Sequence, residues 1–415
     1  MRLITDLHLH SKYSRACSKE LTLPNIARAC ERKGIQLVGS SDFTHPAWRS
    51  HIGEELEEAG NGVFALKQEK SPTRFILSTE VSCIYKRGGK TRRVHHVVLM
   101  PDLASVDRWI AALDKRGVNL KADGRPIMGI DSEILINMVL DASPDALFIP
   151  AHAWTPWFAV FGSQSGFDSL EECFGDMTKH IHAIETGLSS DPPMNRRLSA
   201  LDTIFLVSNS DAHSLDKLGR EANVFEMDAP SYRELRRIFI ERDRAKFIET
   251  IEFFPEEGKY HADGHAACAF SSEPAETKRL KGLCPVCGKP LTVGVLHRVD
   301  AIADRPASVP FPPNAVPFRY IIPLAELVGS VIGTASTSKK AAAIVDTLLA
   351  DGRSEFAVLL DISVEKLKEI SPVEGVAEAI SAMREGRVIR KAGYDGVYGT
   401  IKVERPSKPT QASLL

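Results

Sequence analysis

The chain has 415 residues, 26% charged and 43% hydrophobic, with 52 Lys and Arg against 54 Asp and Glu. At about 150 residues per domain this length implies two to three domains, which excludes a single small module, and the composition excludes a disordered or fibrous chain. A formal charge of −2 gives no bulk electrostatic reason to bind nucleic acid or a membrane, so partners must be sought in local clusters.

The first residues, Met1-Arg2-Leu3-Ile4-Thr5-Asp6, lack the basic start and long apolar run of a signal peptide, and no stretch reads as a membrane span. The odd, scattered set of 7 cysteines does not resemble a secreted disulfide framework. These features predict a cytoplasmic protein with reduced thiols. Short apolar runs at residues 2–10, 35–42, 75–83, 94–100, 147–152, 181–187, 204–211 and 223–227 predict strands, with helical spacing between several of them. Such alternation predicts an α/β fold with a mostly parallel sheet buried on both faces, for which a barrel is a natural solution. A helix over 231–246 would close this domain, giving a boundary at 255.

Polar residues where barrel strands end are candidate site residues. His8 and His10 end the first strand, and the period of two puts both imidazoles on one face, as bidentate metal capture requires. Asp42 and His45 end the second, Glu80 the third, His95 and His96 the fourth, His152 the fifth, and Asp211 with His213 the seventh. Single histidines are commonly surface or satisfied core residues, but their repetition with carboxylates at strand ends points to a site for zinc, magnesium or manganese.

Residues 256–305 are too few to build a good core unaided, and a metal staple would solve this. His265-x2-Cys268 and Cys284-x2-Cys287 match the two-knuckle spacing of one structural zinc, with His261 and His297 as alternative fourth ligands. Residues 306–415 hold a Pro-rich linker, then helical spacing in Leu324, Leu327, Val328 and Val331 and in Ala342, Val345, Leu348 and Leu349, with a frayed tail from Pro406. Residues 333–340 imitate a phosphate-cradling loop but carry Ser338 where its second glycine belongs, so no nucleotide cofactor is expected.

Asp6-Leu7-His8-Leu9-His10-Ser11, Ser41-Asp42, Glu80, His96 before an apolar strand, His152 and Asp211-Ala212-His213 resemble the PHP phosphoesterases. That resemblance implies a distorted β/α barrel over the first 255 residues, hydrolysing phosphate esters with several divalent metals. It implies His8, His10, Glu80, His96, His152, Asp211 and His213 as ligands, with Glu80 bridging. Phe43 stands where the family's second motif has histidine, so Asp42 with His45 is taken as the substitute pair, and His96 is favoured over His95 because neighbours on a strand face opposite ways.

The likeness extends further. Residues 259–265, 283–292 and 294–299, with Asp42-Phe43-Thr44-His45-Pro46 and Ala151-His152-Ala153-Trp154-Thr155-Pro156-Trp157, resemble the endonuclease Q family across essentially the whole chain. This implies a DNA repair endonuclease that incises 5′ of uracil, hypoxanthine, xanthine or an abasic site, with Asp211, His213 and Glu80 as catalytic residues. Damaged DNA would be the partner. The hairpin residues Arg87, Lys90, Arg92 and Arg93 are candidate phosphate contacts, against the alternative of a solvated turn. Trp154, Trp157 and Phe158 could shape a base pocket or simply pack a core. A small-molecule phosphatase and a DNA-binding scaffold are the competing readings.

Overall fold

The computed structural model describes residues 1–308, 310–312 and 315–404. Part of the expected linker and the expected frayed tail from Pro406 lie outside the described residues. Among those described, no helix is long and apolar enough to cross a membrane.

The fold is mixed α/β. Strand Arg2–Asp6 pairs in parallel with Leu37–Gly39, which pairs in parallel with Arg74–Arg87. Next to these the pairing turns antiparallel: Arg74–Arg87 pairs with Lys90–Met100, which pairs with Leu147–Pro150. On the other side Arg2–Asp6 pairs antiparallel with Ala222–Glu226, and that with Phe247–Glu252. Ala183–Glu185 and Phe205–Val207 form a separate parallel pair. The expectation of a mostly parallel sheet is thus corrected. Gly88 (φ 60°) and Gly89 (φ 74°) take the left-handed conformation that a two-residue hairpin turn requires, so the third and fourth strands return on each other without a crossover helix.

Alternate residues along the strands feed two cores. Leu3, Leu7, Leu37, Ile76, Val97, Leu99, Leu147, Ile149, Val207 and Phe225 share one cluster, so the sheet curls around it, and Leu235, Ile238 and Phe239 of helix Tyr232–Glu241 join that cluster. Ile4, Val38, Leu77, Val98, Phe148 and Val224, on the opposite strand faces, meet the surrounding helices. Helix Leu23–Lys33 presents Leu23, Ile26, Ala27 and Cys30 to this core and stops at Gly34 (φ 89°). Helix Tyr232–Glu241 is capped by Ser231, which accepts from Glu234 N, and ends at left-handed Arg242, short of the 246 expected.

The C-terminal part is interlaced with the rest. Strand Phe318–Tyr320 adds in parallel to Phe247–Glu252, so residues beyond 305 complete the sheet of the first domain. Helices Leu324–Ile332, Lys339–Leu348, Val364–Ile370 and Val376–Arg384 follow, then a hairpin of Val388–Lys391 with Thr400–Val403. Asp395, in that hairpin, accepts from Ala266 N (2.7 Å) and Thr292 Oγ1 (2.6 Å) of the cysteine-bearing segment. The cut at 305 is therefore not clean.

Candidate metal centre

The strand ends are held by strained backbone. Asp42 (φ 34°), His152 (φ 28°) and Asp211 (φ 46°) all sit in the left-handed region, uncommon for residues with a side chain. Beside His152, a Cβ on Gly187 would lie 2.6 Å from His152 Cβ, so only glycine lets that turn approach.

Two groups of ligand atoms, each within 4.8 Å of one another, share Glu80: His8, His10, Glu80 and Asp211, and Glu80, His95 and His152. His10 Nε2 is 3.1 Å from Asp211 Oδ1 and 3.2 Å from Glu80 Oε2. His95 Nδ1 and His152 Nε2 lie 2.7 and 3.0 Å from Glu80 Oε1. His8 Nε2 is buried without a hydrogen-bond partner among the described residues, 3.6 Å from both Glu80 Oε2 and Asp211 Oδ1. An orphaned imidazole nitrogen among carboxylate oxygens and further imidazoles is the donor set that a divalent cation fits. Burial works against ionisation of Glu80, yet His95, Arg125 and His8 hold its carboxyl well below the usual range.

Other groups aim these donors. His8 Nδ1 lies 3.0 Å from both oxygens of Glu185, so it donates there and leaves the Nε2 lone pair for a metal. Glu185 also accepts from His152 N (2.8 Å) and Asn209 Nδ2 (3.0 Å). Asp42 performs this service for His10 Nδ1 (3.2 Å) and accepts from Ser11 N, Ser11 Oγ and Ser14 Oγ.

Several expected ligands stand elsewhere. The register pairs Ser82 with His95 and Val81 with His96. Opposed residues share a face, so His95 lies on the face of Ser82 and Glu80, while His96 is turned away against Phe148 and Phe174, 2.8 Å from Ser132 Oγ. The group around Glu80 therefore holds His95 where His96 was expected. Asp42 is outside both groups because its oxygens are committed to His10 and the two serines. His45 is outside them too, its ring stacked on Tyr13 at 4.5 Å. Phe43, at the family's histidine position, packs in the core on Trp109. His213 borders the first group, with Nδ1 2.9 Å from the Asp211 carbonyl and its ring 4.6 Å from that of His10. No sequence motif marks Glu185, Asn209 or Arg125, whose guanidinium sits 2.9 Å from Glu80 Oε2.

His265, Cys268, Cys284 and Cys287 form a third group within 4.8 Å. Cys284 resists burial, which raises a thiol pKa, because backbone N–H groups of Val286 and Cys287 hold it below its ordinary range. The alternative His297 is instead bound to Asp263 Oδ2 at 2.7 Å, and His261 is outside the group. In the basic hairpin, Arg87 pairs with Asp131 and Glu133, and Arg92 stacks on Phe167 and donates to Gly166 O; both are tied internally, leaving Lys90 and Arg93 without ion pairs among the described residues. Trp154 is core, bonded to Asn195 Oδ1 at 2.7 Å, whereas Trp157 is exposed beside Tyr260 and Phe158 packs on His95.

Comparison with known proteins extends over the whole chain. A family model described as the MJ0043 C-terminal domain matches residues 323–387. The Bacillus subtilis (strain 168) protein YqxK is 31% identical over 421 residues, covering 97% of this chain and 99% of that one. The crystal structure of the lesion-specific endonuclease PfuEndoQ from Pyrococcus furiosus has a TM-score of 0.86 at 31% identity, over 100% of this chain and 98% of that one. A structure of Endonuclease Q with a 27-mer duplex substrate, an abasic lesion at its active site, gives 0.83 at 31% identity, over 97% of both chains. Fold and site together define the class, an endonuclease with a candidate metal centre. The chain belongs to the endonuclease Q family.

Proposed function

We propose that the protein is a DNA repair endonuclease that hydrolyses the phosphodiester 5′ of a deaminated base (uracil, hypoxanthine or xanthine) or an abasic site, using several divalent cations. The observation that carries this reading is the pair of ligand groups meeting at Glu80, in a chain matched end to end by lesion-acting endonucleases. Residues 1–255, joined by strand Phe318–Tyr320, act as a distorted PHP-type barrel, 256–305 as a module stapled by one zinc through His265, Cys268, Cys284 and Cys287, and the helices between Leu324 and Arg384 as an accessory that contacts DNA.

His8, His10, Glu80, His95, His152 and Asp211 would hold the cations, and Glu80 would be shared. Bound there, zinc, magnesium or manganese would supply Lewis acidity toward the phosphate and lower the pKa of attacking water. Glu185 and Asp42 fix the tautomers of His8 and His10, so that each presents Nε2. His213 donates from Nδ1 to the Asp211 carbonyl, which leaves its Nε2 lone pair as a further donor at the border of the site. Lys90 and Arg93 hold backbone phosphates away from the reacting centre.

The test is incision of end-labelled duplexes carrying one uracil, hypoxanthine or abasic site, against an undamaged duplex, with Mg²⁺ or Mn²⁺ and an Asp211→Ala control. Cuts confined to the 5′ side of the lesion and lost in the control are expected. Hydrolysis of small phosphomonoesters with no DNA incision would overturn the reading in favour of a phosphatase; neither activity would favour a scaffold.

A further inference from the structure

Arg125 lies on no long strand or helix, yet it is fixed from both sides. Behind it, Ser82 N donates to the Pro126 carbonyl (3.0 Å), and Ile127–Met128 pairs in parallel with Ser82 and Cys83 of the Glu80 strand. Ahead of it, Gly124 N donates to Tyr13 O (3.1 Å), and Asp123 Oδ1 accepts from the backbone N–H of both Arg125 and Arg15. Gly124 is pressed so close that a Cβ would lie 2.3 Å from Asp42 Oδ2 and Ser14 Oγ. The loop is thus clipped between the turn that follows the first strand and the middle of strand Arg74–Arg87, and it delivers one guanidinium to the candidate metal centre.

That guanidinium is a quarter exposed, with Nη1 2.9 Å from Glu80 Oε2. The same oxygen is 3.2 Å from His10 Nε2 and belongs to both ligand groups' shared carboxylate. A cation held by Glu80 would compete with Arg125 for that carboxylate and leave guanidinium N–H groups for another acceptor. Arg220, the other arginine near Asp211, is already spent on the carbonyls of Ser210 and Asp211. A planar fork of donors at the open side of an acidic site matches two oxygens of a phosphate and offsets the repulsion that Glu80 and Asp211 exert on it.

We propose that Arg125 is a catalytic residue that grips a non-bridging oxygen of the scissile phosphate, an assignment that rests on the endonuclease reading. The full-length protein is compared with Arg125→Ala and Arg125→Lys for metal content, duplex affinity and single-turnover incision. Arg125→Ala is expected to keep its metal content, bind the lesion duplex within a few-fold of wild type, and cut about 100-fold more slowly. Added guanidinium should restore part of that rate, and lysine, which keeps the charge but loses the fork, should fall between. Wild-type rates in Arg125→Ala would overturn the assignment. So would a loss of metal content in step with a loss of cutting that guanidinium does not relieve, because Arg125 would then only be holding Glu80. The same series on bis(p-nitrophenyl) phosphate, which has no lesion, separates the two readings. Wild-type hydrolysis of this diester but not of lesion DNA, with the Arg125→Ala defect retained, would sink lesion recognition and uphold the clamp. A wild type inert on both would overturn both.

Discussion

His95 Nδ1 lies 2.7 Å from Glu80 Oε1 across the long hairpin, while His96, its neighbour in sequence, is buried on the opposite face against Phe148. Two adjacent histidines therefore have different duties. His95→Ala should lower the metal content of the purified protein and reduce incision by at least 100-fold. His96→Ala should keep the metals and cost about 1–3 kcal/mol of stability, because it removes a buried ring and leaves Ser132 without that partner. Metal analysis of the two variants beside their melting curves checks this. Equal metal loss in both would contradict the facing of the strand.

How far the site could be read from the sequence follows from that pair. His8, His10, Glu80, His152 and Asp211 stood out because polar ligand types ended apolar runs, and the structure brings all five together. The choice between His95 and His96 needed the register against the Glu80 strand, which a hairpin sets through its turn and which apolar patterning on both faces conceals. Glu185 and Arg125 carried no motif: one ends a three-residue strand and the other lies in a loop, so only tertiary proximity marks them. Asp42 was expected among the ligands, but its Oδ2 is occupied by the Ser11 and Ser14 hydroxyls and its Oδ1 by His10, contacts that no motif displays. That His265, Cys268, Cys284 and Cys287 meet was legible because knuckle spacing is local. The Gly88-Gly89 turn was legible too, although its consequence, an antiparallel half of the sheet, was not drawn from it.

Glu185 tests the second layer of the centre. Glu185→Gln keeps size and one acceptor but loses the charge that orients His8, so metal affinity should weaken about 10–100-fold with the fold intact. Titration of metal-stripped protein with Mn²⁺ or Zn²⁺, with circular dichroism as the fold control, measures it. An unchanged affinity would mean that Glu185 only satisfies buried N–H groups.

Zinc removal should act on stability rather than on the reaction itself. Cys284→Ser is expected to release one zinc per chain and lower the melting temperature, because residues 256–305 bury little else to hold them. Asp395 and Arg298 connect this segment to the hairpin and to the Phe161 and Phe167 carbonyls, so loosening should extend to both. Zinc content together with the melting curve reports the outcome, and normal values for both in the variant would exclude a structural zinc there.

The last prediction concerns pH. Glu252 is fully buried, where it accepts from Thr250 Oγ1 (2.5 Å) and Thr186 Oγ1 (3.0 Å). Burial, reinforced by Asp191, pushes its carboxyl from the ordinary 4.5 up to about 8. Glu221, also fully buried and with Oε2 unpartnered among the described residues, is raised by the same desolvation and by Glu252 and Glu185. The folded protein therefore holds protons here that the unfolded chain releases above the ordinary carboxylate range. The stabilisation is fully present below pH 4.5 and is lost as pH climbs through about 8, by an amount on the order of a few kcal/mol at most. Melting temperature should accordingly fall from pH 5.5 to pH 8.5 in the wild type. In Glu252→Gln, which is neutral throughout and leaves Glu221 without a competing charge, that fall should be visibly shallower. A variant whose pH profile parallels the wild type would show that Glu252 is ionised in the folded protein, and that the loss of stability at high pH arises elsewhere.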